Sequence, residues 1–288
     1  MQNKIVKVCA KGKSLARKVC VACSILVATL VVGNLVSVNK VQAGGMSAPG
    51  FTAGIPVYAD LPVGFYYVNQ SLSSYRDPQN LDIRANANVF FMYYQSPWEL
   101  AGGPLSFVIA PTLFEVSSNP GPYRIGMYNT YFGAQISWAT GIEGLRFGYR
   151  FSGYIPQEDD VAFDYGAIEN RFGFSYDHNG ISALVNNIFG TPIGASWSDH
   201  APDYYILDWH LLKSFGKWSV GPVGYASSDL DSAGRGYQQS QVAVGGLVGY
   251  NFGPLTMQGK LTQDVYEKNY GANETAFWTN IIIPIGVQ

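Results

Sequence analysis

The chain has 288 residues, 15 % aromatic and 13 % charged, and that charge is about half of the roughly 25 % carried by soluble domains. Its formal charge is −2, yet Lys4, Lys7, Lys11, Lys13, Arg17, Lys18 and Lys40 all fall within residues 1–43, which hold no acidic side chain, so the remainder has 11 basic residues against 20 acidic ones. An acidic remainder argues against nucleic acid as a partner, because that affinity rests on Lys and Arg displacing counterions.

Residues 1–43 have the layout of a secretory signal peptide: basic positions up to Lys18, an almost purely apolar run from Val19 to Val32, and the small-residue cleavage pattern Val41-Gln42-Ala43. Cleavage there puts the mature start at Gly44. A retained anchor is the rival reading, since Val19 to Val38 approaches the ~20 apolar residues that span a bilayer, but Gly33, Asn34 and Asn39 interrupt the run. Cys9, Cys20 and Cys23 are the only cysteines and all lie here, so the exported chain has no disulfide framework and no cysteine-ligated metal.

Residues 44–62, "GGMSAPGFTAGIPVYADLP", are rich in Gly, Ala and Pro and carry a single charge. Two readings stay open: a partial plug of a lumen, with Phe51 and Tyr58 supplying apolar contacts, or a mobile tail.

From residue 63 to the end the pattern has period two, the strand signature. In "LDIRANANVFFMYY", residues 81–94, Leu81, Ile83, Ala85, Ala87 and Val89 alternate with Asp82, Arg84, Asn86 and Asn88. Residues 127–138 place Tyr128, Thr130, Phe132, Ala134, Ile136 and Trp138 on one face, and residues 145–155 place Leu145, Phe147, Tyr149 and Phe151 opposite Arg146, Arg150 and Ser152. Twelve such segments are predicted, near residues 63–70, 81–94, 105–116, 127–139, 144–155, 163–176, 181–189, 203–214, 218–227, 240–252, 255–266 and 275–284. No stretch offers a helical period. From the fourth segment onward tight glycine turns (Thr140–Glu143, Asp177–Gly180, Phe215–Lys217, Gly253–Pro254) alternate with long polar loops (Pro156–Ala162, Gly190–Pro202, Ser228–Gln239, Glu267–Glu274). Gln95–Pro104 breaks the alternation, which implies that the second and third strands run past these bounds.

Together these features predict an all-β fold: a transmembrane antiparallel up-and-down β-barrel of about twelve strands over residues 63–288, with short turns at one rim and long loops at the other. A soluble barrel would share the period, but here one face is a broad apolar band and the other is thin in charge and rich in Gly, Ser, Asn and Gln, which suits lipid outside and water within. Trp98, Trp138 and Trp218 fall near short-turn ends and Trp278 near a long-loop end, as interfacial girdles do. Twelve strands ~4.8 Å apart, tilted by ~40°, close at a backbone radius of about 12 Å. The same phase points Asp82, Arg84, Arg146, Arg150, Arg171, Asp208, His210, Lys260 and Asp264 into the lumen. They read either as a structural ion-pair lattice or as a constriction that selects solutes.

The segments "HLLKSFGKWSVGPVGYASSDL" (210–230) and "VGGLVGYNFGPLTMQGKLTQDVYEKNYGANETAFWTNIIIPI" (244–285) resemble a family of Gram-negative outer-membrane proteins named for the meta-cleavage pathway of phenol degradation. The resemblance is carried by Phe215-Gly216-Lys217-Trp218, Gly221 with Gly224-Tyr225, Gly249-Tyr250-Asn251-Phe252-Gly253, Asp264-Val265-Tyr266 with Lys268-Asn269, and the Trp278 strand. It implies a barrel in the outer membrane, in contact with its lipid, that takes up aromatic or other small hydrophobic solutes passively, without cofactor or catalytic residues. A surface adhesin or structural barrel with a closed lumen is the alternative, ahead of a lipid-modifying enzyme. The chain departs from many outer-membrane barrels by ending Gly286-Val287-Gln288 rather than in an aromatic residue, which leaves open whether the last segment closes the barrel.

His178, His200 and His210 have no helical metal-ligand spacing. A hydrolase built on His210 would need a cross-strand serine, since Ser214 is four residues away on an extended strand. Glu158-Asp159-Asp160 could hold calcium or simply be solvated.

Overall fold

A computed structural model describes residues 45–196 and 199–287; the signal-peptide reading of residues 1–43 lies outside these. Twelve strands follow one another: β1 (Gly64–Arg76), β2 (Ile83–Leu100), β3 (Gly103–Ser117), β4 (Tyr123–Ala139), β5 (Leu145–Tyr154), β6 (Gly166–His178), β7 (Ile181–Ile193), β8 (Tyr204–Phe215), β9 (Trp218–Asp229), β10 (Ser240–Asn251), β11 (Thr256–Lys268) and β12 (Thr275–Ile285). Each pairs antiparallel with its neighbours in sequence, and β12 returns to β1, closing the sheet. The seam runs from Phe65↔Ile285 to Tyr75↔Thr275, so the last segment closes the barrel.

The long connection at Gln95–Pro104 becomes strand on both sides, with the β2–β3 ladder slipping register between Gln95 and Glu99. β2 and β3 both extend to a two-residue turn, Ala101-Gly102, whose φ angles of 51° and 76° match the left-handed turns that suit a twisted hairpin.

The outer face is apolar between two aromatic levels. Phe65, Trp98, Phe215 and Trp218 stand exposed at the short-turn rim and Tyr75 and Tyr123 at the long-loop rim, with Leu211, Val248, Leu261 and Phe277 between them. Phe65 and Tyr75 are ten positions apart on one strand, which at ~3.3 Å per residue and ~40° of tilt is about 25 Å along the axis, the apolar height of a membrane barrel.

Three expected orientations are reversed. In β2 it is Ala87 and Val89 that point inward, where they pack with Val108, Ala110 and Tyr131 against Phe51, while Arg84, Asn86 and Asn88 point outward. Residues 45–60 run through the inside of this barrel and present Phe51 to this wall, so small apolar residues belong there. A slip of register between Ala110 and Thr112 in the β3–β4 ladder turns Tyr128 inward, against the phase of Phe132. Trp278 is 1 % exposed and lies in the lumen, not in the girdle.

Replacing outward Leu261 by arginine is expected to cost about 2–4 kcal/mol of stability if it lies near the bilayer midplane, measured by urea unfolding in lipid vesicles.

Candidate functional site

Residues 45–60 enter the barrel from the short-turn rim, where residues 61–63 join them to β1, and run up through the lumen. A lumen wide enough for a chain still demands partners for every peptide group. The wall supplies them. At the centre, Asp208 on β8 accepts the Gly50 N–H (2.7 Å), the Thr52 N–H (2.9 Å) and the Thr52 hydroxyl (2.6 Å). Three strands along the wall, Lys260 on β11 donates to the carbonyls of Gly50 (2.6 Å) and Ala53 (3.0 Å), its Nζ 4.1 Å from the centre of the Trp278 ring. Gly54 donates to His210 Nδ1 (2.9 Å), and Gln258 Nε2 donates to the Gly54 carbonyl (2.9 Å). Asp208, His210 and Lys260 are each at most 2 % exposed.

The segment's own sequence makes this possible. Gly50 and Gly54 have φ of 92° and 100°, and a Cβ at Gly54 would fall 2.4 Å from the Leu247 side chain. Phe51 projects from this turn edge-on to Trp278, with ring centroids 5.2 Å apart, and to Phe91 at 6.5 Å. Lower down, Tyr58 lies against Gly148, where an added Cβ would be 1.9 Å from its ring, and donates its hydroxyl to Asn186 (2.7 Å). At the rim Arg146 pairs with Asp60 (3.0 Å).

Between this segment and the long-loop rim is a cavity of about 320 Å³. Its walls are Phe51, Phe91, Phe114, Tyr128, Tyr131 and Tyr154, with Phe163 and Tyr270 from the loops. Arg150 and Arg171, directly opposite each other on β5 and β6, are its charged lining. Arg150 donates to Gln135 Oε1 (2.6 and 2.9 Å), while Arg171 donates to Glu169 and to Ser47 Oγ and sits 4.7 Å from the centre of the Tyr131 ring. Tyr204 completes that group by donating to the other Glu169 oxygen (2.7 Å).

Of the residues read from the sequence as lumenal, the fold thus gathers Asp208, His210 and Lys260 around residues 50–54 and sets Arg150 beside Arg171. Arg146 stands apart at the rim. Asp264 lies near the opposite rim, 3.5 Å from Arg76, which also lies 3.5 Å from Glu274 and stacks on Tyr270. Burial pushes the Glu274 carboxyl above the usual carboxylate range, and the Arg76 guanidinium opposes that rise. Asp82 and Arg84 are corrections. Asp82 precedes β2 with φ of 42°, and Arg84, its side chain 62 % exposed, pairs with it at 3.3 Å on the outside; Arg84 is opposite Tyr75, whose face is outward.

Glu169 and Arg76 were missed. Glu169 is two positions before Arg171 on the same face and is found by continuing the alternation backward; Arg76 lies beyond the point where the first strand was ended.

The cross-strand serine is present: Ser182 Oγ is 3.2 Å from His210 Nε2. Nδ1 accepts the Gly54 N–H, however, so the neutral ring carries its proton on Nε2 and donates toward the serine, the reverse of what a general base requires. Asp159 accepts the Met127 N–H (3.0 Å), and no cluster of three or more metal-ligating side chains occurs among the described residues.

A closed twelve-stranded antiparallel sheet with an apolar belt, two aromatic levels and a polar interior defines an outer-membrane-type β-barrel. The chain belongs to the family described as "Putative MetA-pathway of phenol degradation", whose profile matches residues 48–281. Among solved structures, an outer membrane channel from Pseudomonas putida F1 is similar over 83 % of this chain and all of its own, with 12 % identity and a TM-score of 0.68, a likeness of fold. The translocator domain of the autotransporter NalP from Neisseria meningitidis covers 78 % of this chain and 89 % of its own at 10 % identity and a TM-score of 0.46. The NanC porin covers 75 % of this chain and all of its own at 7 % identity and a TM-score of 0.45. No curated protein matches the chain in sequence.

Asp208→Asn replaces one acceptor oxygen with an amide nitrogen facing the Gly50 or Thr52 donors, and Gly148→Ala drives a methyl into the Tyr58 ring. Both variants are expected to keep a heat-modifiable barrel, while thermolysin cuts residues 45–60 about tenfold faster than in the parent, the effect of a ~1.4 kcal/mol weaker hold.

Proposed function

We propose that the protein is a passive channel of the outer membrane, stoppered by residues 45–60, whose vestibule collects small apolar or aromatic solutes at the outer surface. The observation that carries this reading is the cavity of about 320 Å³, walled by aromatic rings on one side and by the lumenal segment on the other. An apolar cavity of ~150 Å³ suffices for benzene, so a substituted single ring fits. Its apolar body would lie among Phe91, Phe114 and Tyr131, and a hydroxyl or carboxylate on it would meet Arg150, Arg171 or the Tyr154 phenol. Membership of a family described by phenol degradation, and a fold shared with an outer membrane channel, favour the same reading. Long loops then face outward and short turns the periplasm. No cofactor is called for, and transport runs down the solute's gradient once the stopper shifts.

A barrel with a permanently closed lumen, serving as an adhesin or structural element, is favoured by one observation: the segment is bonded to the wall along its length. Planar-bilayer recording separates the two. Deleting residues 45–60 is expected to give large conductance steps where the full chain gives small or rare ones. A deletion variant that keeps its heat-modifiable mobility and stays silent supports the closed barrel. In calorimetric titration with phenol or toluene, Phe91→Ala together with Phe114→Ala is expected to weaken binding about tenfold or more, a loss of ~1.4 kcal/mol.

A further inference from the structure

We propose that the outer face of β12, β1, β2 and β3 is the surface through which two copies of this chain associate within the membrane; this rests on the outer-membrane reading above. Outward positions of β1 between the aromatic levels at Phe65 and Tyr75 are Tyr67, Asn69, Ser71 and Ser73, and those of β2 opposite the serines are Asn88 and Asn86. Elsewhere around the wall the same depth is held by residues such as Leu211, Val248 and Leu261. A polar group facing hydrocarbon has no water to bond, so it must find a protein partner or remain unsatisfied.

Other outward asparagines have such partners within the wall. Asn170 accepts the Tyr149 hydroxyl (2.6 Å), and Asn187 accepts that of Tyr205 (2.8 Å) while donating to the Phe172 carbonyl (3.2 Å). The patch on β1 and β2 does not resolve itself this way. Ser71 donates to Asn88 (2.7 Å), but the Asn88 and Asn69 amide groups donate to nothing, and the side chains of Asn86, Ser73 and Glu115 form no hydrogen bond among the described residues.

The occupant that fits is a second copy. Carboxamides and hydroxyls both donate and accept, so this face is its own complement, whereas lipid tails offer neither function. A two-fold axis along the membrane normal keeps every residue at its own depth, so an amide layer meets an amide layer. Arg84, one outward step above Asn86, and Glu115, opposite Asn86 on β3, supply opposite charges for exchange between copies. The approach is also open. Gly259, Thr279, Ser71 and Asn88 form one cross-strand row, and a Cβ at Gly259 would touch nothing within 4 Å, so the wall is shallow where the polar groups lie. Small residues beside hydrogen-bonding ones are what helices use to associate in lipid, and the same physics holds for a sheet.

The test uses the full chain with Cys9, Cys20 and Cys23 changed to serine and one new cysteine, Ser71→Cys on the patch or Leu211→Cys on the far side at β8. Outer membranes are isolated and treated with a short bis-maleimide. The expected result is a band of twice the monomer mass from Ser71→Cys and not from Leu211→Cys, reduced at least fivefold by adding Asn86→Leu and Asn88→Leu while heat-modifiable mobility is kept. No dimer band at Ser71, equal bands at both positions, or an adduct of another mass would each overturn the proposal, the last by assigning the face to a different protein. A chain missing from the outer-membrane fraction would overturn the functional reading itself, a failure distinct from an embedded chain that does not pair.

Discussion

Asp208 and Lys260 carry opposite charges inside the barrel, both almost inaccessible, with the backbone of residues 50–53 held between them. Neither ion is hydrated in any ordinary sense, and a buried charge without partners is costly. The chain meets that demand with a turn that offers N–H groups to the carboxylate and carbonyls to the ammonium. Only a sequence with glycines at 50 and 54 can make it in this space. The position of Phe51 follows, then those of Trp278 and Phe91 against it, and with them one wall of the vestibule. The small inward residues of β2 are the counterpart of the same event, because Ala87 and Val89 leave room for a ring that water would never have needed.

Much of this was legible from the residues. Twelve alternating segments and a rhythm of short and long connections define a closed barrel, and the inward placement of Asp208, His210 and Lys260 follows from counting by two. The phase of β2 did not follow. Counting assigns two faces but not which is inside, and the rule that polar means lumenal fails where polypeptide runs through the lumen. That rule misplaces Arg84 and Asp82, and Trp278 passes for a girdle residue because inside and outside here are both rich in rings. Tyr128 turned on a single slip of register near Pro111, a local event that alternation cannot display.

β1 shows the limit most clearly. From Asn69 to Ser74 both of its faces are polar apart from Leu72, so the pattern that fixes a strand's register is weak there. Alternation ends the strand at 70, whereas it continues to Arg76, whose guanidinium meets Asp264 and Glu274 at the long-loop rim. The inward half of that polar run has an evident use: Gln70 donates to the Phe51 carbonyl (2.7 Å) and to Asn280 (3.0 Å). Of the outward half, Ser71 donates to Asn88 (2.7 Å), while the Asn69 amide group and Ser73 donate to no partner among the described residues.

The lumenal segment also has a mechanical consequence. It bonds to Gln135 on β4, Ser175 on β6, Asn186 on β7, Asp208 on β8 and Lys260 on β11, strands from widely separated parts of the circumference. A hollow twelve-stranded hoop can ovalise under lateral pressure by bending its hydrogen-bonded ladder a little at each strand. Cross-braced from within like a spoked wheel, this one must break spokes before it can flatten.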